Sequence, residues 1–213
     1  MPLQNRVTPL GEIVATAARG TMMGNRGCLH DAARRLTRRR WTTYSWVACV
    51  LAFKDRRRTL MQPNRYTELF FLDEPTALAA GHRPCGECRR ADYLRFMNCF
   101  RRGNAMTDAD RHAIDRRLQT DRIEARSHRQ LRHEAPLEAL PDGAMILWRD
   151  QPHLLWRSGL HGWSETGYGD AVAPPQAAVT VLTPRSTVAA LKAGYRPAPH
   201  PSLGRTPAAP ISK

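Results

Sequence analysis

Two cysteines, Cys85 and Cys88, are separated by two residues in the stretch AGHRPCGECRR at positions 80–90. A C-x-x-C spacing places two sulfurs on one side of a tight turn, at the separation that a tetrahedral metal ion requires. Pro84 fixes the backbone just before the first thiol, and the arginines at positions 83, 89 and 90 favour the thiolate form. The motif therefore predicts a metal site, and a redox couple is the alternative.

Two thiolates do not complete the coordination shell of Zn²⁺, so other parts of the chain must supply ligands. The chain has five cysteines, and in a reducing compartment a disulfide framework is not expected from this odd number. The candidates for the remaining ligands are cysteines and histidines, namely Cys28, Cys49, Cys99, His30 and His82.

The residues around the motif predict the elements that hold it. YSWVACVLAF (44–53) is rich in aromatic and β-branched residues and predicts a buried strand that carries Cys49. NRYTELFFL (64–72) predicts another strand, and residues 59–61 predict a short strand that forms a hairpin with the first. Asp73 is a typical cap for a helix over residues 74–80, and a second helix is predicted over residues 90–100.

The segment FFLDEPTALAAGHRPCGECRR resembles the second half of the Ada-type N-terminal zinc-binding domain, the methylphosphotriester-acceptor domain of adaptive-response DNA repair proteins. The shared pattern is a Phe-rich strand, a short helix that ends in Ala-Gly, and then R-P-C-x-x-C. The resemblance covers residues 44–96 at most. The matching residues are Phe70, Phe71, Ala77, Ala80, Gly81, Arg83, Pro84, Cys85 and Cys88.

The resemblance implies a ligand set and an activity. In that family an upstream C-x-x-x-C pair supplies the first two zinc ligands, and an upstream cysteine accepts the methyl group. This chain has only Cys49 in the corresponding strand. The resemblance therefore implies a shell of Cys85, Cys88 and Cys49 completed by His30, with Cys28 as the alternative. It also makes Cys49 the candidate methyl acceptor.

The same residues admit other enzyme classes. P-C-x-x-C is half of the signature of zinc-dependent nucleobase deaminases, which also needs H-x-E or C-x-E upstream. Glu68 is the nearest such glutamate, but Tyr66 occupies the ligand position. A hydrolase that uses Glu68, Asp73 or Glu74 with a histidine has no recognised spacing here, and acidic residues at a helix start are typical caps.

The charge of the chain predicts a polyanionic partner. Lys and Arg number 33 against 19 Asp and Glu, which gives a formal net charge of +14. Such a balance favours nucleic acid, although GC-rich codon usage also enriches arginine. The candidate phosphate contacts are two arginine runs, Arg38, Arg39 and Arg40, and Arg56, Arg57 and Arg58.

The element pattern predicts an α+β protein. We expect an α/β module stapled by zinc, with a basic N-terminal segment, over residues 1–105, and a helical connector over 106–140. A β-meander with a closing helix is predicted over 141–196, and a disordered tail over 197–213. No run is long and apolar enough to span a bilayer and the N-terminus lacks a signal-peptide layout, so we expect a cytoplasmic protein without a membrane partner.

Together these observations predict a zinc-binding protein whose arginine-rich surface contacts DNA or RNA, with the zinc in a structural role. Two alternatives stay open. One is a stoichiometric methyl acceptor that transfers a methyl group to a zinc-bound thiolate. The other is a protein-interaction module in which zinc only staples a small fold.

Overall fold

A computed structural model describes residues 1–56, 59–174 and 177–204. Over these ranges the chain forms two six-stranded sheets and four α-helices, which confirms the predicted α+β class. None of the helices in these ranges combines the length and the apolar character that crossing a membrane demands.

The first sheet comes from the N-terminal part of the chain. Its strands, numbered in chain order, are β1 (Gln4–Val7), β2 (Ile13–Ala15), β3 (Met22–Asn25), β4 (Val47–Val50), β5 (Leu69–Phe71) and β6 (Arg83–Pro84). They lie in the order β2-β1-β5-β3-β4-β6. The pairs β1–β5 and β4–β6 are parallel, and the other pairs are antiparallel. The strand that carries Cys49 therefore lies beside the strand that leads into Cys85.

Alternate residues of the central strands face opposite sides of this sheet, as the pleat of a strand requires. On the inner face, residues of β3, β4 and β5 are buried in one apolar cluster, which contains Met22, Ala48, Leu69 and Phe71. On the outer face, their sequence neighbours line a cavity, and these are Met23, Asn25, Val47, Cys49 and Phe70.

Helix α1 (Glu74–Ala79) contacts the cores of both sheets, and all six of its residues are buried. The carboxylate of Asp73 caps the helix by accepting a hydrogen bond from the Thr76 N–H at 3.0 Å. Ala77 packs in the core of the first sheet, whereas Ala79 packs against residues of the second. The helix ends before Gly81, whose positive φ of 82° suits glycine at this position.

The second sheet comes from the C-terminal part of the chain and is antiparallel throughout. Its strands are β7 (His133–Pro136), β8 (Met145–Trp148), β9 (Gln151–Trp156), β10 (Gly159–Ser164), β11 (Gly167–Val172) and β12 (Ala178–Val181), in the order β11-β10-β9-β8-β12-β7. A single 3₁₀ turn (Leu137–Ala139) follows β7. The predicted meander is present, and the sheet also takes one strand, β7, from within the predicted connector.

Three further helices pack against this sheet: α2 (Arg90–Gly103), α3 (Arg111–Arg122) and α4 (Arg185–Lys192). Phe96 and Phe100 of α2 are four residues apart and fully buried, as expected for one face of a helix. Ile114 and Leu118 of α3 and Leu191 of α4 join them in one core cluster. The helices therefore share a core with the second sheet.

One expectation about local structure is wrong. Residues 59–61 form no strand, because β4 is already paired with β3 on one side and with β6 on the other. Within the expected tail, residues 197–204 form backbone hydrogen bonds to acceptors at the start of α1. The His200 N–H donates to the Asp73 carboxylate and the Ala198 N–H to the Glu74 carboxylate, both at 2.9 Å. Residues 205–213 lie outside the described residues.

Candidate metal centre

Three cysteine sulfurs, those of Cys49, Cys85 and Cys88, lie within 4.8 Å of one another. Strand β4 supplies the first, and the turn after β6 supplies the other two. The parallel pairing of β4 and β6 aligns Ala48 with Pro84, and the Cys85 N–H donates to the Ala48 carbonyl at 2.9 Å. This backbone pairing brings the C-x-x-C turn to Cys49, and the resulting cluster can hold a metal ion.

The turn itself stabilises a thiolate on Cys85. The Glu87 N–H donates to the Cys85 sulfur at 3.4 Å, and the Arg89 N–H donates to the Cys85 carbonyl at 3.1 Å as the chain enters α2. Hydrogen bonding from Cys49, together with the backbone N–H groups of Cys88 and Glu87, lowers the pKa of Cys85 to about 5 despite its partial burial.

The other two thiols are held in the protonated form when no metal is bound. The hydrogen bond to Cys85, followed by burial, raises the pKa of Cys49 far above its ordinary value. Burial raises the pKa of Cys88. One thiolate flanked by two thiols is a ligand set that must release protons when it binds a metal.

Two of the three arginines of the motif, Arg83 and Arg89, do not supply the positive charge that we expected beside the thiols. Arg83 forms a buried bidentate ion pair with Asp115, with distances of 2.7 and 2.8 Å. Arg89 pairs with two carboxylates, those of Glu74 and Asp92. The charges of Arg83 and Arg89 are thus compensated by carboxylates.

The guanidinium group of Arg56 interacts electrostatically with the thiols. Its pKa is raised first by Glu87, with which it is ion-paired, and in addition by Cys88 and Cys85. Arg56 also lines the cavity beside the cluster. Its charge therefore faces a site that already contains the carboxylate of Glu87.

The structure does not bring the expected fourth ligands to the cluster. His30 is buried, and its two ring nitrogens lie 2.6 Å from the Thr67 hydroxyl and 3.1 Å from the Gln62 carbonyl oxygen. The Cys28 sulfur lies 3.8 Å from the His30 carbonyl oxygen. Within the described ranges, no His, Asp, Glu or further Cys has a ligand atom within 4.8 Å of all three sulfurs.

The remaining candidates lie in the protein interior. Cys99 lies on α2 and packs in the core. His82 is fully buried against Phe71 of the inner face, with 4.6 Å between the ring centroids. Burial, together with Arg26 and Arg122, lowers the pKa of His82. Neither residue belongs to the cysteine cluster.

A cavity of about 400 Å³ lies beside the cysteines on the outer face of the first sheet. Aromatic and aliphatic side chains form much of its wall, including Phe53, Leu60, Tyr66 and Phe70. Glu68 also lines it, and its carboxylate accepts the Met61 N–H at 2.8 Å. Three protein ligands beside a cavity are typical of zinc sites that keep one coordination position for water or substrate, whereas purely structural sites have four.

The predicted nucleic-acid contacts fall into two groups. Arg38, Arg39 and Arg40 are exposed and lie in the connection between β3 and β4, outside regular secondary structure. Arg56 is ion-paired with Glu87, and both side chains are partly exposed. Arg57 and Arg58 lie outside the described residues.

Sequence reasoning missed a second group of charged residues, on the inner side of the first sheet. Arg26 and Arg122 are buried there and lie over the ring of Trp46. The available signal was weak. Met22 and Gly24 of β3 face inward, and the same alternation places Arg26, just after the strand, on the inner side.

Comparison with known proteins gives no neighbour for the chain. No family model, curated protein or solved structure matches it. The resemblance to the Ada-type domain therefore depends on residues 44–96 alone, and the function must be argued from the geometry of the cysteine cluster and from the charge of the surface.

Proposed function

We propose that the chain is a zinc-binding protein whose arginine-rich surface contacts DNA or RNA. The observation that carries the proposal is the convergence of three cysteine sulfurs from two separate elements within 4.8 Å. Thiolates in such a group favour Zn²⁺ over harder cations such as Mg²⁺. Cys49, Cys85 and Cys88 would hold the ion, and the backbone N–H groups at Cys85 would support its thiolate.

The ligand count and the cavity favour an accessible zinc ion over a sealed one. Cys49 lines the cavity together with Cys85 and Cys88, so a water molecule or an external group can reach the fourth position. The same ion would join β4 to the start of α2 and would thereby stabilise the first sheet. A structural contribution and an open coordination position are compatible in this arrangement.

Elemental analysis of the chain, purified without chelator, tests the metal proposal. We expect one zinc per wild-type chain, loss of zinc in Cys85→Ser, and reduced zinc in Cys49→Ser and Cys88→Ser. Cys28→Ser is the matched control, because Cys28 is also a partly exposed free thiol but lies outside the cluster. His30→Ala should also keep its zinc. Absence of zinc from the wild type would contradict the proposal.

Salt dependence tests the nucleic-acid proposal. Each phosphate contact contributes a slope of about −0.9 to the plot of log affinity against log salt, so Arg39→Gln should make the slope shallower by about that amount. Arg157→Gln is the control, since this exposed arginine lies between β9 and β10 of the second sheet. Affinity that is no weaker at about 300 mM than at about 50 mM salt would contradict the electrostatic account. Zinc without nucleic-acid affinity at physiological salt would favour the protein-interaction module.

Methyl acceptance is a second candidate function, favoured by the position of Cys49 in the cavity wall. The methyl carbon of a methylphosphotriester would form a bond to the Cys49 sulfur as its bond to the ester oxygen breaks, and a phosphodiester anion would leave. A bound metal would keep this otherwise protonated thiol in the thiolate form. Peptide mass analysis after exposure to methylated DNA should then find one added methyl group on Cys49. Methyl transfer that persists in Cys49→Ser, or none in the wild type, would contradict this role.

A further inference from the structure

A second cavity, of about 480 Å³, carries a strong excess of positive charge. Among the described residues that line it, Glu12 is the one carboxylate, and His128 adds an imidazole. Five arginines line the same cavity: Arg26, Arg40, Arg122, Arg129 and Arg132. A concave site with this composition favours an anionic ligand.

The floor of the cavity contains two buried guanidinium groups. Arg26 is 3% exposed and Arg122 is 1% exposed. Both guanidinium groups lie over the ring of Trp46, at 4.2 and 3.9 Å from its centroid. Burial, and then the charge of Arg40, lowers the pKa of Arg26 to about 9, and burial, and then the charge of Arg26, lowers the pKa of Arg122. Two like charges held together away from water are costly unless an anion compensates them.

The hydrogen-bond acceptors around Arg26 are neutral and incomplete. Its Nη1 donates to the Gly11 carbonyl at 3.2 Å, and its Nε donates to the His82 Nε2 at 3.4 Å. Its Nη2 is buried and has no hydrogen-bond partner among the described residues. The buried Arg26 side chain thus retains an unsatisfied donor in the wall of the cavity, where an anion would supply the missing acceptor.

The acceptors around Arg122 are neutral as well. It donates to the Gly81 carbonyl at 2.9 Å, to the Tyr44 carbonyl at 2.8 Å and to the Gln119 side chain. Asp115 lies close enough to raise the pKa of Arg122, but both of its oxygens accept from Arg83. No carboxylate in the described part of the chain forms a salt bridge with Arg26 or Arg122.

The mouth of the cavity brings together exposed basic side chains from two parts of the chain. Arg40 comes from the connection between β3 and β4, whereas His128, Arg129 and Arg132 come from the segment between α3 and β7. Glu12 lies exposed at the same rim. Exposed arginines above buried ones give an electrostatic path that attracts an anion and then holds it in a less polar environment.

We propose that this cavity binds a phosphate group, carried by a small phosphorylated molecule or by the terminal phosphate of a nucleic acid. Guanidinium groups match phosphate oxygens with paired hydrogen bonds, and a phosphate dianion compensates more of this charge than a carboxylate does. A cavity of about 480 Å³ also has room for more than the phosphate itself. The proposal is independent of the metal, since the cavity lies on the inner side of the sheet and the cysteines on the outer side.

Calorimetric titration of the full chain tests this proposal. Inorganic phosphate is the first probe, followed by adenosine monophosphate beside adenosine, and by a 5′-phosphorylated oligonucleotide beside its 5′-hydroxyl counterpart. We expect phosphate to bind the wild type and to bind Arg132→Gln about tenfold more weakly, as for the loss of one charged hydrogen bond. Arg157→Gln removes the same charge elsewhere and should leave the affinity unchanged. Arg26→Gln should weaken binding further, and the exposed Arg132 keeps the test valid if that buried variant fails to fold.

The paired probes identify the source of the phosphate. Tighter binding of the phosphorylated oligonucleotide than of its counterpart would assign the site to a nucleic-acid end. Binding of adenosine monophosphate, with no difference between the oligonucleotides, would assign it to a small molecule. Equal effects of Arg132→Gln and Arg157→Gln, or no binding of any phosphorylated probe, would overturn the proposal. Cys85→Ser should bind phosphate normally, which separates this outcome from a failure of the zinc proposal.

Discussion

The cysteine cluster and the arginine cavity lie on opposite sides of one sheet, and the chain around β4 contributes to both. Trp46, just before this strand, lies beneath the buried arginines, and Cys49, three residues later, belongs to the cluster. An odd separation along a strand places side chains on opposite faces. One short segment therefore separates a site suited to a cation from a site suited to an anion.

The two faces differ in how their polar groups are satisfied. At the cysteines, the sulfurs interact with one another and with N–H groups of the turn, so the metal-free cluster is already stabilised. At the arginines, the buried guanidinium groups have neutral acceptors, and one donor lacks any partner among the described residues. The hydrogen bonds within the cysteine cluster stabilise it even without a metal ion. At the arginines, buried charge without a carboxylate partner favours the binding of an anion.

The Arg83–Asp115 ion pair connects the two faces, because Arg83 precedes the C-x-x-C turn and Asp115 shares α3 with Arg122. Asp115→Ala would leave a buried arginine uncompensated, and we expect a loss of about 3–5 kcal/mol in the free energy of unfolding. Asp121→Ala is the matched control, since it removes the partner of the more exposed Arg117 and should cost less than about 1 kcal/mol. Denaturant unfolding measures both. Equal losses would contradict the expectation that the buried ion pair matters more to stability than the exposed one.

Metal removal should affect the two faces unequally. On the proposed zinc site, free zinc at about a hundred times its dissociation constant would stabilise the chain by about 2.7 kcal/mol, which corresponds to about 5–10 °C in Tm. We expect chelation to lower the Tm by this amount and to leave phosphate affinity unchanged. Calorimetry with and without chelator measures both quantities. A parallel loss of phosphate affinity would show that the faces are coupled through the sheet.

The elements that the sequence predicts well are those with local signals. The Asp73 cap, the Gly81 terminus and the turns between the short strands of the second sheet each depend on residues a few positions apart. The C-x-x-C pair is a local signal too. Cys49 required the resemblance, because only the parallel pairing of β4 and β6 brings it to the turn.

The features that the sequence did not predict depend on distant partners. Strands β1, β2 and β3 have only three or four residues each, which is too short for a clear alternation. The backbone hydrogen bonds of residues 197–204 depend on acceptors more than 120 positions away, at Asp73 and Glu74. Arginine is a residue type usually found at the surface, so the burial of Arg26 and Arg122 is evident only in the folded structure.

The ionisation of Cys85 in the cysteine cluster can be measured in the metal-free chain. The pKa of Cys85 is lowered to about 5 from an ordinary value of 9.0. Its thiolate therefore contributes stability that is complete above about pH 9 and is lost as the pH falls through about 5. Ultraviolet absorbance of the thiolate should titrate near pH 5 in the wild type and be absent there in Cys85→Ser. Cys49→Ala should titrate at higher pH, because the hydrogen bond from Cys49 is the largest cause of the shift and alanine has no donor to replace it; an unchanged midpoint would contradict this origin.

The smallest effect is expected at Arg56, the arginine of the cysteine face. Because it is partly exposed and paired with Glu87, Arg56→Gln should leave the free energy of unfolding nearly unchanged. For the same reason it should change the salt slope of nucleic-acid binding less than Arg39→Gln does, and phosphate affinity should not change. Binding assays on the two single variants measure this difference. An Arg56→Gln variant that loses as much nucleic-acid affinity as Arg39→Gln would mean that the cysteine cavity itself takes up anions, and the assignment of one charge type to each face would then fail.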